Sequence, residues 1–308
     1  MSGVEAATAR GAGRVDAGGN ASAAAAGASD GASPDNNAGA NASTGLVGRA
    51  GADVADTQAS GGLPGDAPLQ DNVPLSAEAR RLQADAALLG VTLDAAAATT
   101  QLKLLDELTH WNRAYNLSAI RDREGMIRQH LLDSLAALPA LHGTRVADVG
   151  TGAGFPGLPL AIADRGRHFT LIDSNGKKIR FVAHAARTLG LGNVTALHAR
   201  AEAVGTAAAG AGAGTAAGAG AGAGAGTFDT VLARAFAALP LLLAQVESLL
   251  APGGCVLALK GRYPEDELRQ LPAGWRLVQV FTPSIPGLSA ERHILRLERG
   301  LKYGPGAV

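Results

Sequence analysis

The stretch Val146-Ala147-Asp148-Val149-Gly150-Thr151-Gly152-Ala153-Gly154-Phe155-Pro156-Gly157 decides how the rest of the chain is read. An apolar run over 145–149 reads as a strand, and it enters a glycine-rich turn. Beyond the turn, Leu158, Leu160 and Ile162 begin a helix. Glycines at such a turn let the chain fold back tightly and let a ligand approach main-chain N–H groups. Gly152, Gly154 and Gly157 satisfy the dinucleotide-binding spacing, a weak signal on its own. Gly150, Gly152 and Gly154 are better aligned, directly after the strand with Asp148 just before it. Asp173 closes the next strand candidate, 23 residues after Gly150. A carboxylate there can accept hydrogen bonds from both ribose hydroxyls of a nucleoside cofactor. The competing reading is a purely structural turn with an unrelated surface aspartate.

Outward from this turn, short apolar runs alternate with helical stretches. The strand candidates are 145–149, 168–173, 193–198, 229–233 and 254–259. Such alternation predicts parallel strands joined by crossover helices, an open α/β sheet. The runs 276–281 and 293–297 have no helix-length segment between them and predict an antiparallel pair closing the sheet. Upstream, Ser76 after Pro74 is a candidate N-cap for a helix through Leu82, Leu88 and Leu89. A second helix carries Leu102, Leu105, Leu108 and Trp111, and a third places Ile127, Leu131, Leu135 and Leu138 on one face. His130, Asp133 and Ser134 fall together on that helix, either as an active-site wall or as a buried hydrogen-bond cluster.

Of the 308 residues, 27 are Lys or Arg and 27 Asp or Glu, a neutrality that pools two unlike parts. Residues 1–75 hold three basic and eight acidic residues and no Phe, Trp or Tyr, leaving 24 basic and 19 acidic in 76–308. A segment of Ala, Gly, Ser, Asn and Asp cannot bury enough apolar surface to offset its ordering entropy, which predicts a disordered tail over 1–75. A second low-complexity stretch, 205–226, holds only Gly, Ala and Thr and predicts a loop insert. The expected organisation is tail 1–75, helical extension 76–141 and α/β core 142–305 carrying that insert. One cysteine, Cys255, excludes a disulfide framework and any multi-cysteine metal site, and it sits in an apolar run as a core residue. No metal site is expected. No apolar run approaches the roughly 18 residues of a membrane span, and no secretory signal is evident, so the expectation is a cytoplasmic protein without a membrane partner.

The segment Leu249-Leu250-Ala251-Pro252-Gly253-Gly254, leading into the 255–259 run, resembles the late motif of class I S-adenosylmethionine-dependent methyltransferases. The acid-bearing glycine turn and the terminal antiparallel pair resemble the same class. The fold expected is its Rossmann-like open sheet with an antiparallel last pair and a helical N-terminal extension; a dehydrogenase is the alternative. Glu202, shortly after the third strand, falls where that fold lines the adenine. Two target chemistries fit poorly. Methylation of exocyclic base amines uses an Asn/Asp-Pro-Pro-aromatic turn after the fourth strand, where this chain has Leu232-Ala233-Arg234-Ala235-Phe236. Methylation of a pyrimidine carbon needs a cysteine nucleophile. The target should already present a lone pair.

The run Trp111-Asn112-Arg113-Ala114-Tyr115-Asn116-Leu117-Ser118-Ala119-Ile120 and the run His130-Leu131-Leu132-Asp133-Ser134-Leu135 resemble the RsmG (GidB) family. So do the glycine turn, Leu232-Ala233-Arg234-Ala235-Phe236, Ala258-Leu259-Lys260-Gly261 and Glu291-Arg292-His293, in order over about 76–305. The resemblance implies transfer of a methyl group from S-adenosylmethionine to N7 of one guanine in small-subunit (16S) ribosomal RNA, with that RNA or the ribosomal subunit as partner and a monomeric enzyme. Carried across motif by motif, it implies a cofactor site at Gly150, Gly152, Phe155, Ala201, Glu202 and Arg234, to which the ribose argument adds Asp173. N7 loses no proton on methylation, so no catalytic base is assigned. RNA contacts are expected from Arg113, Arg121, Arg123, Lys177, Lys178, Arg180, Lys260, Arg262 and Arg292, with Arg234, Lys260 and Arg292 foremost because each sits at a strand end or edge. Two alternatives stay open: a methyltransferase of this fold acting on a protein or small molecule, and a non-catalytic ribosome-binding factor.

Overall fold

The computed structural model describes residues 74–204 and 227–300; the expected tail over 1–75 and the insert over 205–226 lie outside them, apart from 74 and 75. Among the described residues three helical stretches, and a short 3-10 turn, precede the sheet. Helix α1 (Ala77–Ala87) is capped by Ser76, whose side chain accepts from the Ala79 N–H. Helix α2 (Ala95–Tyr115) is capped by Asp94 in the same way. Helix α3 (Arg123–Met126) continues into a π-helical segment, Ile127–Leu132, and then α4 (Asp133–Leu135). That differs from the single α-helix expected. The buried positions Ile127, Leu131 and Leu135 recur in steps of four, longer than the 3.6-residue α turn, and the wider π turn takes up the excess. Leu138 belongs to a separate 3-10 turn. Arg123 ties the bundle together by reaching Glu78 at 3.0 Å and Asp106 at 2.7 Å.

Seven strands follow among the described residues: β1 (Arg145–Val149), β2 (His168–Asp173), β3 (Val194–His198), β4 (Phe228–Arg234), β5 (Leu250–Lys260), β6 (Trp275–Phe281) and β7 (His293–Arg299). Their order is β3-β2-β1-β4-β5-β7-β6, with the first five parallel and β7 antiparallel to both neighbours. The antiparallel pair closes the sheet as expected, with β7 inserted beside β5. Strand β5 begins earlier than expected, because Leu250 already pairs with Phe228 across a register irregularity before Cys255 pairs with Thr230. Pro252 and Gly253 therefore lie within an irregular strand rather than in a separate turn.

Period-two alternation assigns each strand's side chains to one of two cores. Val146, Phe169, Leu171, Leu232, Cys255 and Leu257 join the core shared with α1, α2, α5 (Gly157–Ala163) and α6 (Gly176–Thr188). Ala147, Val149, Ile172, Val231, Ala233, Val256 and Ala258 pack on the opposite face against the helix Leu239–Val246. Burial on both faces is what a parallel sheet requires. Cys255 is fully buried, as expected of a core residue. Among the described residues no helix is long and apolar enough to cross a membrane.

Candidate functional site

Parallel pairing of Val149 with Ile172 brings the ends of β1 and β2 side by side. The chain then leaves β1 through Gly150, at φ 68°, whose N–H donates to the Ile172 carbonyl at 2.8 Å. Asp173 ends β2 facing this turn. Its Oδ2 accepts from the Gly152 N–H at 2.9 Å and its Oδ1 from the Asn175 N–H at 2.7 Å. A cleft of about 270 Å³ opens there, lined by Gly150, Asp173, Ala201, Glu202, Ala235 and Phe236 among others. Four of the seven expected cofactor residues thus line one cavity, and Gly152 is bonded to its wall.

The remaining two lie elsewhere. Phe155 is buried beneath the turn, its ring stacked on His130 with centroids 4.5 Å apart. The Phe155 N–H donates to the Thr151 carbonyl at 3.0 Å, a tight turn that carries its side chain into the core. Arg234 lines the neighbouring pocket. Sequence reasoning overlooked Phe236. A Cβ on Gly150 would stand 2.4 Å from its ring, whereas one on Gly152 would meet only Lys178 Nζ, at 4.0 Å. The Gly150 backbone is therefore roofed by an aromatic ring, while that of Gly152 is open.

Asp148 braces the turn from below. Its Oδ2 accepts from Thr151 Oγ1 at 2.6 Å and from the Gly157 N–H at 2.8 Å. Its Oδ1 is buried with no partner among the described residues. Burial pushes this carboxyl up to about 6, against the opposing pull of the Thr151 and Gly157 hydrogen bonds and the Arg234 charge.

The second pocket, of about 280 Å³, is lined by Asp133, Arg234, Ala235, Lys260, Arg292 and His293 among others. All three foremost RNA-binding candidates meet here, and each is paired. Asp133 accepts from Arg292 at 2.6 Å and from Arg234 at 3.3 Å. Lys260 reaches Glu267 at 2.8 Å and the Ala237 carbonyl at 3.1 Å. Nothing in the sequence pattern marked Asp133 or Glu267 as these counter-ions. Of the polar trio expected on one helix face, Asp133 forms pocket wall, while His130 and Ser134 are buried and bond locally, the Ser134 hydroxyl donating to the His130 carbonyl. His130 Nε2 lies 2.7 Å from Ser118 Oγ. Burial, then the Arg234 charge, lower its pKa to about 4 against a raising backbone bond at Gln129, so the imidazole is neutral at pH 7. Ala235, at φ 49°, lines both cavities and joins them.

The chain is similar to several known proteins. The family model GidB, rRNA small subunit methyltransferase G, matches residues 98–295. The chain is 43% identical over 210 residues to ribosomal RNA small subunit methyltransferase G of Nitrosococcus oceani, covering 68% of this chain and 90% of that one. It is 42% identical over 235 residues to the protein of that name in Xanthomonas euvesicatoria, covering 76% and 99%. Among solved structures it is similar to a SAM dependent methyltransferase from Aquifex aeolicus, at 18% identity and a TM-score of 0.40, over 59% of this chain and 96% of that one. The chain belongs to the GidB family of small-subunit ribosomal RNA methyltransferases.

Proposed function

We propose that this chain methylates N7 of one guanine in small-subunit ribosomal RNA, with S-adenosylmethionine bound in the cleft at Gly150 and the target base in the adjoining pocket. The observation that carries this reading is the junction at Ala235, where a cleft with carboxylates meets a pocket with cations. The residues present suit the cofactor. Asp173 accepts one backbone hydrogen bond on each oxygen, and a carboxylate offers about four lone-pair sites, so it can also receive two ribose hydroxyls. Ala201 and Glu202, beyond β3, form the wall suited to the adenine. A Cβ at Gly152 would meet only Lys178 Nζ, at 4.0 Å, so the turn beside Asp173 is open.

When bound, S-adenosylmethionine supplies an electrophilic methyl group on a sulfonium. Guanine N7 brings its own lone pair and sheds no proton, so no side chain is assigned as base. Alignment is then the chain's contribution, and well-oriented reactants can gain about 7–11 kcal/mol in ideal intramolecular cases. Arg234 and Arg292, locked on Asp133, hold the pocket wall against the incoming nucleotide. The protein is expected to act as a monomer in the cytoplasm.

Nucleoside mass spectrometry tests this directly. Small subunits from cells lacking the protein are incubated with purified full-length chain and S-adenosylmethionine. N7-methylguanosine should rise in the ribosomal RNA; appearance of another methylated nucleoside instead, or of none, overturns the assignment. Running deproteinised RNA in parallel identifies whether RNA or the assembled subunit is the substrate.

A further inference from the structure

The nine cations anticipated as RNA contacts separate into two groups. Arg123, Lys260 and Arg292 each have a carboxylate partner: Glu78 with Asp106, Glu267, and Asp133. Arg113, Arg121, Lys177, Lys178, Arg180 and Arg262 have none within 4.0 Å among the described residues. Arg121 bonds only neutral groups, the Asn112 carbonyl and Asn116 Oδ1. Five of these six unpaired cations belong to two helix ends: the last turn of α2 with the loop after it, and the first turns of α6; Arg262 stands apart, two residues after β5.

The two helices are joined by aromatic contacts. Trp111 of α2 lies 5.6 Å from Phe181 and 5.0 Å from His184 of α6, centroid to centroid, and His184 Nε2 meets Glu107 at 2.8 Å. Lys177 and Arg180 stand one helical turn before Phe181 and His184, on the same stripe of α6. Tyr115 lies against Trp111 at 5.3 Å yet is 43% exposed. It is an aromatic ring held in place with a free face, which lowers the ordering cost of stacking a ligand on it. This face also adjoins the cofactor cleft. Helix α6 starts three residues after Asp173, and Lys178 Nζ reaches to within 4.0 Å of where a Gly152 Cβ would stand.

We infer that a single-stranded segment of ribosomal RNA flanking the target guanine docks on this face, with a base stacked on Tyr115 and phosphates on Lys177, Lys178 and Arg180. The inference rests on the RNA-methyltransferase reading above. Single-stranded RNA is recognised by stacking of splayed bases on aromatic rings beside a cationic track. A cation already neutralised by a carboxylate gains less from a phosphate, since the phosphate must displace or tolerate the existing anion. The pocket therefore shapes the target nucleotide's surroundings, while the α2–α6 face supplies the salt-dependent affinity.

Binding of a fluorescein-labelled single-stranded oligoribonucleotide and of deproteinised small-subunit RNA to the full chain, across a salt series, tests the inference. Tyr115→Ala should weaken binding roughly 5- to 150-fold, the range for one base–aromatic stack, and Tyr115→Phe should restore it. The double variant Lys177→Gln, Arg180→Gln should flatten the slope of log affinity against log salt by about 1.4, two single-strand phosphate contacts. Cofactor affinity by calorimetry and the melting midpoint should stay as in the wild type. Unchanged binding by Tyr115→Ala, or an unchanged salt slope, overturns the docking face. So does loss of activity on intact subunits with binding to naked RNA preserved, which would assign the face to a ribosomal protein. A wild-type chain that methylates no RNA defeats the earlier reading instead, an outcome distinct from neutral variants of an active enzyme.

Discussion

The cleft at Gly150 and the pocket at Asp133 share Ala235 yet differ in what walls them. The cleft is largely main chain: a strand end, a turn with positive φ, and Asp173 held by two backbone N–H groups. The pocket is walled by side-chain charges drawn from far apart, with Asp133 bonding Arg234 at a separation of 101 residues and Arg292 at 159. A backbone wall is rigid because its geometry is fixed by the sheet, so it is sensitive to added volume. An ionic wall is sensitive to the loss of a single partner.

The sharpest test of that contrast is Gly150→Ala. An alanine at φ 68° pays the left-handed penalty of about 1–2 kcal/mol, and its Cβ would press into the Phe236 ring at 2.4 Å. Overpacking adds about 1–3 kcal/mol, so the expected loss is about 4 kcal/mol in urea denaturation, together with cofactor binding. A loss below about 1 kcal/mol would mean that the Phe236 roof swings freely and the cleft wall is softer than described.

Asp133→Ala probes the ionic wall. It leaves Arg234 and Arg292 facing each other without their shared carboxylate, whose side chain is 9% exposed against 26% and 22% for the guanidiniums. Breaking a buried pair costs about 3–5 kcal/mol, and the partial exposure of the arginines favours the lower end, about 3 kcal/mol. Methyl transfer should fall while cofactor affinity, measured calorimetrically, is retained. Loss of both together would show that the two cavities are one mechanical unit.

The same contrast explains what the sequence disclosed. The glycine turn, the place of Asp173 at a strand end and the succession of strands and helices were legible because each depends on neighbours within a short span: apolar alternation, a turn, and the end of the adjacent strand. Ala201 and Glu202 were implied by the family resemblance, and both line the cleft. The Asp133 bridge was not legible, since no local pattern links residues 101 and 159 positions apart. The π-helical segment was also missed, because steps of four between buried residues fit an α-helical stripe nearly as well. Phe155 is expected at the cofactor site by its motif; what the sequence did not disclose is that the Thr151 turn stacks its ring on His130.

His130 and Asp148, both buried below the two walls, place opposite pH dependences in one window. His130 is depressed from 6.5 to about 4, so the stability it lends is present above its unfolded pKa and is lost as pH falls towards 4. Asp148 is raised from 3.8 to about 6, so it favours the folded state at low pH, and that contribution is lost as pH rises through 6. Replacing His130 with Phe preserves a ring against Phe155 and removes only the first of these. Between pH 7.5 and pH 5 the wild type should lose about 2 kcal/mol more stability than His130→Phe. Parallel stability profiles for the two proteins would show that His130 titrates normally and that the base of the pocket is wet.

Gly152→Ala should have the smallest effect on folding and separates the two roles of the turn. The position has φ 62°, so alanine carries the left-handed penalty, but the nearest atom to its Cβ is Lys178 Nζ at 4.0 Å. Reduced freedom of the unfolded chain returns about 0.4–1 kcal/mol, leaving a net loss of about 1 kcal/mol. The added methyl group nonetheless fills the open side of a turn whose neighbours Gly150 and Asp173 line the cleft. A near-native melting curve with cofactor binding lost would show that the openness at Gly152 serves the ligand and not the fold. Retained binding would move the cofactor towards Ala201 and Phe236, and the glycine turn would then act only as the hinge that brings β1 to Asp173.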